Sequence, residues 1–371
     1  MMREARSWVE VSLSRIRANY RAVRDTVAPG AQVICVVKAN AYGHGAVEVS
    51  RALCEEGAPW LAVSSVEEGA RLRDAGISSR ILVMAGVMRW EQEAVRAYRL
   101  TPVVHELEDL KIFEEHGPIE VHLKVDTGMH RLGTQAAASQ IAEVIESMQH
   151  VRVEGMLSHF ASAADFTSTQ TADQIHAFTE LTAQLAELGV RPRMMHLAST
   201  NAIAYPRRDA WLQLVRPGHA IYGYVSPPRR FGPVPTLVVK PALTWYTRVI
   251  SVKDIPAGSK VGYGGSYFAA APMRIAVLAA GYADGVPHRL SNKGRVIVNG
   301  HFAPMVGTVS MDLTTIDVSN TPGIQPGDVV TLLGTQGDAS IDAQQIARTA
   351  GTISYSVLCG ISSRVKRFYV D

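Results

Sequence analysis

A lysine that follows an apolar stretch is the first residue of this sequence whose position suggests chemistry. Residues 33–37 form a β-branched apolar run, long enough for a strand buried on both faces, and Lys38 comes directly after it. A loop with Tyr42 and two glycines then leads to a helix. An amine in this position can attack an aldehyde and form a Schiff base. A lone lysine at a strand end is more often a side chain that reaches solvent, so this interpretation depends on the rest of the chain.

Strand-like and helix-like segments alternate over the first 220 residues. Amphipathic stretches such as 90–99, 136–148 and 171–188 separate the apolar runs, which predicts helices between strands. Eight strands in alternation with helices are typical of a (β/α)8 barrel, in which the active site lies at the carboxyl ends of the strands. The predicted strands begin near Val33, Trp60, Ile81, Thr101, Ile119, Val153, Met194 and Leu214.

Polar side chains recur where these strands end. Each one alone is explained by a hydrogen bond at a strand end, but their common position on one barrel face favours a functional site. They are Lys38, Lys124, Asp126, Arg131, Ser158, His159, His196, Ser199, Thr200 and Arg216.

A phosphate site is expected near the last two strands of such a barrel. The hydroxyls of Ser199 and Thr200 and the backbone around Gly218 and His219 suit a dianion. A phosphate opposite a strand-end lysine indicates pyridoxal 5'-phosphate (PLP). The chain has no GK[ST] phosphate loop, and the glycines at 262–265 do not join a strand to a helix as a dinucleotide motif does.

Composition excludes several other classes of protein. The chain has 371 residues, is 47% hydrophobic and carries a formal net charge of +3 without a basic cluster, which argues against nucleic-acid binding. Its three cysteines are far apart, so neither a zinc site nor a disulfide framework is expected. No signal peptide or membrane-spanning stretch is evident. We expect a cytoplasmic enzyme that holds no metal.

The alternation of strand-like and helix-like segments ends at the proline-rich segment 226–236. Short strand-like runs follow at 243–252, 274–279, 295–298, 305–309, 313–318 and 329–332, separated by turn signals. We therefore predict a barrel domain at 1–230 and a mostly β domain at 231–371. Residues 5–12 read as a further strand that joins the C-terminal domain.

Eight motifs carry a resemblance to a known family. They are VVKANAYGHG, HLKVDTGMHRLG, LSHFASA, VRPGHAIYG, GYGGSYFA, GYADG, VGTVSMD and TISYSVLC, and the match to which they belong runs from Trp8 to the C-terminus. Together they resemble the bacterial alanine racemases. The resemblance implies a PLP-dependent isomerase that interconverts L- and D-alanine, supplies D-alanine for peptidoglycan, and works as a homodimer with shared active sites.

The resemblance also implies roles for individual residues. Lys38 is similar to the PLP lysine and first catalytic base, and Tyr263 to the second base, supplied by the partner subunit. Arg216 resembles the residue that faces the pyridine nitrogen, and His159 the histidine that links it towards the tyrosine. Lys124 matches a lysine that the family often carbamylates. The remaining matches are a phosphate cradle (Tyr42, Ser199, Thr200, Gly218, His219 and Tyr355) and substrate-side residues (Arg131, Met311, Tyr282 and Asp312).

Two positions depart from the family pattern. Ser199 stands where asparagine is usual and lacks the amide, while His219 replaces an aliphatic residue. A backbone N–H at residue 219 serves a phosphate equally well whatever the side chain. The assigned pair of bases also makes physical sense, because racemisation removes a proton from one face of a carbon and returns one to the other.

Three alternatives stay open from the sequence. A PLP-barrel decarboxylase predicts a carboxylate at the pyridine nitrogen, where this chain has Arg216. A racemase that prefers another small amino acid, such as serine, fits the same residues. A non-catalytic, single-barrel PLP-binding protein predicts no second domain. At single residues, Lys124 is alternatively an ion-pair partner of Asp126, and His196 alternatively a packed strand-end histidine.

Overall fold

The computed structural model describes residues 4–27 and 29–371. The chain divides into two compact units. One comprises Arg15–Ala41 and Ala46–Lys240; the other comprises the N-terminal residues up to Ser14, the short segment Tyr42–Gly45, and Pro241–Asp371. Strand β1 (Ser7–Ser12) opens the described chain and leads into helix α1 (Leu13–Val27).

Eight parallel strands form the core of the first unit, in the order β8-β7-β6-β5-β4-β3-β2-β9. A parallel bridge between Ser199 and Arg216 joins the segments that follow β8 and β9, so the sheet closes almost completely into the predicted barrel. Strands such as β3 are apolar and buried at every position, as expected when both faces are covered. The strands are β2 (Gln32–Val36), β3 (Trp60–Val63), β4 (Arg80–Val83), β5 (Thr101–Val104), β6 (Ile119–Lys124), β7 (Val151–Leu157), β8 (Met194–His196) and β9 (Leu214–Val215).

Helices follow the barrel strands and turn an apolar face inwards. Helix α6, for example, buries Ile141 and Ala142 on one side, as its periodicity predicts. The helices are α2 (Ala46–Glu55), α3 (Val66–Asp74), α4 (Gln92–Ala97), α5 (Leu107–Glu114), α6 (Ala138–Ser147), α7 (Gln170–Glu187) and α8 (Thr200–Ala204), with 3-10 turns at Arg89–Glu91, Arg208–Ala210 and His219–Tyr222.

The second unit is mostly β-sheet, as predicted. Its largest sheet is built around β10, which pairs antiparallel with β1, β13 and β17, and β1 also pairs in parallel with the final strand. The strands are β10 (Leu243–Ile255), β11 (Lys260–Val261), β12 (Tyr267–Phe268), β13 (Met273–Leu278), β14 (Arg295–Val298), β15 (His301–Pro304), β16 (Thr314–Asp317), β17 (Val329–Gln336), β18 (Ala339–Ile341) and β19 (Lys366–Val370).

Two helices and two 3-10 turns complete this unit. They are α9 (Ala343–Ala350), α10 (Ser354–Gly360), Tyr263–Gly265 and His288–Leu290. The side chain of Asp342 caps α9 by accepting from the N–H of Gln345 at 2.7 Å. Across the described residues of both units, none of the helices has the length and apolarity that crossing a bilayer requires.

The strand predicted at 305–309 is wrong. This segment makes a single bridge, Met305 to Ile316, and then leaves the sheet. Gly307 has φ +80°, a conformation outside the strand region, and its N–H donates to the side chain of Asn292 at 2.6 Å. The apolar run therefore forms a loop held by side-chain bonds, which the alternation of residues alone does not reveal.

Candidate active site

A left-handed turn follows Lys38. Ala39, Asn40, Ala41 and Tyr42 all have φ between 51° and 54°, although none of them is glycine. Each such residue costs about 1–2 kcal/mol relative to the ordinary right-handed conformation. A run of four is therefore held by the surrounding structure, and strain of this kind is concentrated at functional sites.

Side chains from the barrel hold this turn in place. Glu68 accepts a hydrogen bond from the N–H of Ala39 at 2.6 Å, and its other oxygen accepts from the N–H of Ser64 at 2.7 Å. The side-chain oxygen of Asn40 accepts from the N–H of Ala46 at 2.8 Å. The residue that carries the amine is thus fixed by backbone contacts on its C-terminal side. The sequence did not single out Glu68.

Arg216 lies directly after β9 and is buried. Its Nη1 donates to Nδ1 and to the carbonyl of His196 at 2.6 and 2.7 Å. Its Nη2 donates to the carbonyls of Ser158 and Leu197 at 2.6 and 3.1 Å and lies 3.4 Å from Nδ1 of His159. His196, left open by the sequence, is therefore a direct partner of Arg216.

One donor of Arg216 remains for a ligand. Among the described residues its Nε–H makes no hydrogen bond, while both Nη groups are fully used. Burial lowers the pKa of Arg216 to about 9, so the guanidinium is still a cation near neutral pH. A buried cationic donor of this kind suits an acceptor atom such as an unprotonated pyridine nitrogen.

Lys124, Arg131 and Arg216 form a positively charged neighbourhood around His159. Burial, followed by the charges of Arg131 and Arg216, lowers the pKa of Lys124 to about 8. Burial and the charge of Arg216 lower the pKa of His159 to about 3, with smaller effects from Lys124, Arg131 and Lys38. His159 is therefore neutral in the working range of pH, and Lys124 is partly deprotonated.

Asp126 is not an ion-pair partner of Lys124 within 4 Å in the described part of the chain. Its Oδ1 accepts from the N–H groups of Gly128, Met129 and His130 at 3.0, 3.0 and 3.1 Å, and its Oδ2 accepts from Gln135 at 3.3 Å. The carboxylate thus organises the loop that carries Arg131. Among the described residues, Lys124 has no carboxylate oxygen within 4 Å.

Thr200 lies among the residues expected to hold a phosphate. Its Oγ1 accepts from the N–H groups of Gly218 and Ala220, both at 3.2 Å, which leaves the hydroxyl hydrogen available to donate. The side chain of Ser199 makes no capping bond. The imidazole of His219 is buried and stacks on Tyr224, with ring centroids 5.1 Å apart. The side chain at 219 therefore packs in the interior, and only its backbone is left for an anion.

The second unit holds the remaining candidates, among them Tyr42 and Tyr355. Their ring centroids are 5.9 Å apart. Burial, followed by the neighbouring Tyr355 and Cys359, raises the pKa of Tyr42, so its hydroxyl stays protonated and can donate.

Tyr263, Tyr282 and Met311 lie on loops that are hydrogen-bonded to one another. Thr308 donates to the carbonyl of Tyr263 at 3.2 Å, and the N–H of Tyr282 donates to Ser310 at 3.0 Å. The three side chains are exposed by 76%, 45% and 53% respectively. Asp312, next to Met311, accepts from Arg364 at 2.8 Å.

These residues fit PLP. An amine on a fixed turn, a hydroxyl beside helix N-termini and a buried cationic donor match the aldehyde, the phosphate and the ring nitrogen of that cofactor. The barrel and this donor set define the class of PLP-dependent barrel enzymes.

Comparison with known proteins narrows the class to one family. The N-terminal domain of alanine racemase matches residues 11–227, and its C-terminal domain matches residues 242–369. The alanine racemase of Symbiobacterium thermophilum is 41% identical over 370 residues, which cover 98% of this chain and 97% of that protein. This chain belongs to the alanine racemase family, whose members are PLP-dependent isomerases.

Solved structures agree with the sequence comparison. An alanine racemase from a D-cycloserine-producing Streptomyces lavendulae superposes with a TM-score of 0.93 at 32% identity, covering 100% of this chain and 98% of that one. The alanine racemase from Bartonella henselae, solved with covalently bound pyridoxal phosphate, gives a TM-score of 0.87 at 29% identity, covering 99% of this chain and 100% of that one.

Proposed function

We propose that this chain interconverts L- and D-alanine with two bases, Lys38 and Tyr263. The observation that carries the proposal is the buried guanidinium of Arg216 with its remaining Nε–H donor. A decarboxylase of the same class needs an acid at that position. An arginine has no acidic proton to give near neutral pH, so it leaves the ring nitrogen unprotonated. A cofactor ring with an unprotonated nitrogen withdraws electrons weakly. This favours return of a proton to the α-carbon of the substrate over loss of its carboxylate.

PLP supplies an electron-withdrawing ring and an aldehyde that acidify the α-hydrogen of a bound amino acid. Lys38 holds the aldehyde and carries the proton on one face. Tyr263 carries the proton on the other face, and a cation nearby makes its phenolate easier to form. Arg131 and the backbone N–H of Met311 bind the substrate carboxylate, while Tyr282 and Asp312 line the access path.

We propose that Thr200, Tyr42, Tyr355 and the backbone at Gly218 and His219 hold the phosphate. The free hydroxyl hydrogen of Thr200 supports this, since Thr200 Oγ1 already accepts from two backbone amides. Ser199 contributes less, because its hydroxyl cannot copy the two-ended amide of asparagine. His159 connects Arg216 towards the tyrosine.

A homodimer completes the proposal. Tyr263 and Met311 are largely exposed although both are assigned to the active site. Exposed aromatic and methionine side chains are enriched where protein surfaces meet. A second copy of the chain that receives these side chains explains their exposure. The cytoplasmic location and the supply of D-alanine to peptidoglycan belong to the same proposal.

Lys124 is proposed to carry a carbamate. Only the neutral amine reacts with carbon dioxide, and the lowered pKa of about 8 raises the fraction of that form near neutral pH well above that of an ordinary lysine. A carbamate adds a negative charge beside Arg131 and Arg216, which offsets the cluster of cations. It also orients Arg131 towards the substrate carboxylate.

One assay tests the function directly. Purified protein is mixed with L-alanine or D-alanine, with and without added PLP, and the opposite enantiomer is measured by a coupled oxidase or dehydrogenase. We expect interconversion in both directions that depends on PLP, with serine a poorer substrate. Release of carbon dioxide from a basic amino acid, with no racemisation of alanine, would overturn the proposal.

A further inference from the structure

Four side chains form a continuous line inside the barrel. They run from Arg216 through His196 and His122 to Glu154. All four are buried, with exposures of 4%, 0%, 0% and 2%. The proposed reaction uses only Arg216, so the other three are buried polar groups that still require an explanation.

The donor at one end is compatible with only one arrangement of the protons along the line. Arginine only donates, so Nδ1 of His196 accepts from Nη1 of Arg216 at 2.6 Å. Burial lowers the pKa of both histidines, which are therefore neutral with one N–H each. The proton of His196 is then on Nε2, which lies 2.8 Å from Nδ1 of His122. His122 consequently carries its proton on Nε2, on the side of Glu154.

Glu154 ends the line as a carboxylate. His122 Nε2 lies 3.8 Å from Oε2 of Glu154, which is an electrostatic contact rather than a hydrogen bond. Arg80 binds both oxygens of this carboxylate, at 2.9 and 2.5 Å, and Arg193 binds one at 3.3 Å. Burial raises the pKa of Glu154, but its contacts with His122 and Arg80 outweigh this and hold the pKa below the usual value.

The backbone is shaped to accommodate the line. The pairing of β6 with β7 matches Val121 to Val153 and then His122 to Gly155, so Glu154 is the extra residue of a bulge. Bulges redirect a side chain and are common near active sites. A Cβ atom on Gly155 would lie 2.5 Å from Nδ1 of His122, so the glycine makes room for the imidazole. Trp60 packs against the other side, 5.5 Å from the His122 ring.

We propose that Glu154 is a positioning residue for Arg216 and acts through His122 and His196. This inference rests on the proposed function, in which Arg216 meets the cofactor ring. The carboxylate keeps His122 in its Nε2–H form; His122 fixes the tautomer of His196; and His196 then offers Arg216 one acceptor in one place. The guanidinium is thereby held in a single orientation with its Nε–H towards the ring.

Two substitutions break the line at different points. Glu154→Gln keeps the shape and removes the charge, while His122→Phe keeps a ring and removes the acceptor for His196. Glu120→Gln is the matched control, because Glu120 also bonds to Arg80, at 3.2 Å, but lies at the surface away from the histidines. Each holoenzyme is assayed for kcat, for KM with L-alanine, for PLP dissociation, and for slow conversion of the cofactor to its amine form.

We expect Glu154→Gln and His122→Phe to lower kcat about tenfold or more, the scale on which partners that orient a binding group act. We expect KM and PLP affinity to change little. The rate at which the cofactor is converted to its amine form should increase relative to the rate of racemisation. Because both act along one line, the double variant is no worse than the poorer single one. Glu120→Gln behaves as wild type. A Glu154→Gln enzyme that matches Glu120→Gln in every measurement would overturn the proposal. A Glu154→Gln enzyme that loses kcat, PLP binding and stability to the same extent would also overturn it, because that pattern indicates general structural damage.

A second measurement needs no variant and no activity. Nitrogen-15 NMR of histidine-labelled full-length protein, with and without PLP, reports which ring nitrogen carries the proton. Two neutral, slowly exchanging histidines protonated at Nε2 support the line, and protonation of His196 at Nδ1 refutes it. If the wild-type protein fails to racemise alanine, the proposed function fails, while this spectrum still decides the arrangement of the protons.

Discussion

Nη2 of Arg216 lies 3.4 Å from Nδ1 of His159. Since arginine cannot accept, His159 presents a lone pair to the guanidinium and keeps its own proton on Nε2. The pKa of about 3 means that this histidine does not titrate where the enzyme works. His159 therefore lies in contact with the cation of Arg216 and stays neutral throughout the pH range in which the enzyme is assayed.

Replacement of Lys38 tests the first base. In Lys38→Ala we expect loss of the visible absorbance of the lysine-bound cofactor and a fall in racemisation of at least about 10²–10⁴-fold, the range for loss of a proton-transfer group. Absorbance spectra and the coupled assay measure both effects. Lys111→Ala is the control, because that lysine is exposed and, within the described part of the chain, forms an ion pair only with Glu108. An unchanged spectrum in Lys38→Ala would remove Lys38 from its role.

Replacement of Tyr263 tests the second base. Tyr263→Phe keeps the ring but removes the proton carrier, so racemisation falls about 10²–10⁴-fold while PLP binding stays near wild type. In deuterated water, one enantiomer of alanine still exchanges its α-hydrogen through Lys38 and the other does not. Mass spectrometry of the recovered alanine measures this asymmetry. Tyr267→Phe, on the neighbouring strand, is the control.

Equal exchange of both enantiomers by Tyr263→Phe would show that a single base serves both faces. Full activity of this variant would also remove the tyrosine from the mechanism. Either result leaves the family membership intact and changes only the assignment of the base.

Carbon dioxide is expected to modify Lys124. Because the pKa is lowered to about 8, the neutral and reactive fraction of the amine falls as the pH drops below that value. We therefore expect carbamylation, seen by gentle intact-mass measurement, to be greater at pH 8 than at pH 6.5 when total bicarbonate is adjusted to give equal dissolved carbon dioxide. Lys124→Arg removes the added mass. A wild-type protein that shows a bare amine at both pH values contradicts the carbamate.

Acid is expected to destabilise the fold through buried histidines. Burial and the charge of Lys124 lower the pKa of His105 to about 4, against about 6.5 for an unfolded histidine. Between these values the unfolded chain binds the extra proton, so this contribution is complete above about pH 6.5 and is lost as the pH falls towards 4. The slope is at most about 1.4 kcal/mol per pH unit for each such histidine.

Chemical denaturation at several pH values measures this effect. His105→Leu, which removes the titrating group, has a shallower dependence of the free energy of unfolding on pH. His176→Leu is the control because His176 is largely exposed on helix α7. Equal slopes for the two variants would show that burial of His105 does not govern the acid limb.

Much of the fold is readable in the sequence, and particular residues show where that ends. The apolar runs beginning at Trp60, Thr101 and Met194 mark strands at those positions because buried parallel strands need continuous apolar side chains. The strand predicted at 305–309 is a loop because the conformation of Gly307 and the hydrogen bond that its N–H donates to the Asn292 side chain decide its path. Neither effect has a periodic signature.

The partners of the site residues were less readable than the residues themselves. Motifs identify Lys38 and Arg216, but Glu68 and Glu154 act from other strands and helices that only the folded chain brings near. The sequence does contain a signal for Glu154. It is a glutamate within the buried part of β7, and His122 lies within the buried part of the neighbouring strand β6. Charged or polar residues among apolar strand positions need partners, and the sequence does not say which.

Mixing two inactive variants tests the central claim, that each active site takes Lys38 from one copy and Tyr263 from another. Lys38→Ala and Tyr263→Phe are each expressed and purified alone as controls. The two variants are then co-expressed with different tags, so that mixed dimers can be isolated. A mixed dimer contains one site with both bases and one with neither. We predict that the mixed dimer recovers about half of the wild-type racemase activity while each parent stays inactive. A mixed dimer as inactive as its parents would contradict the account.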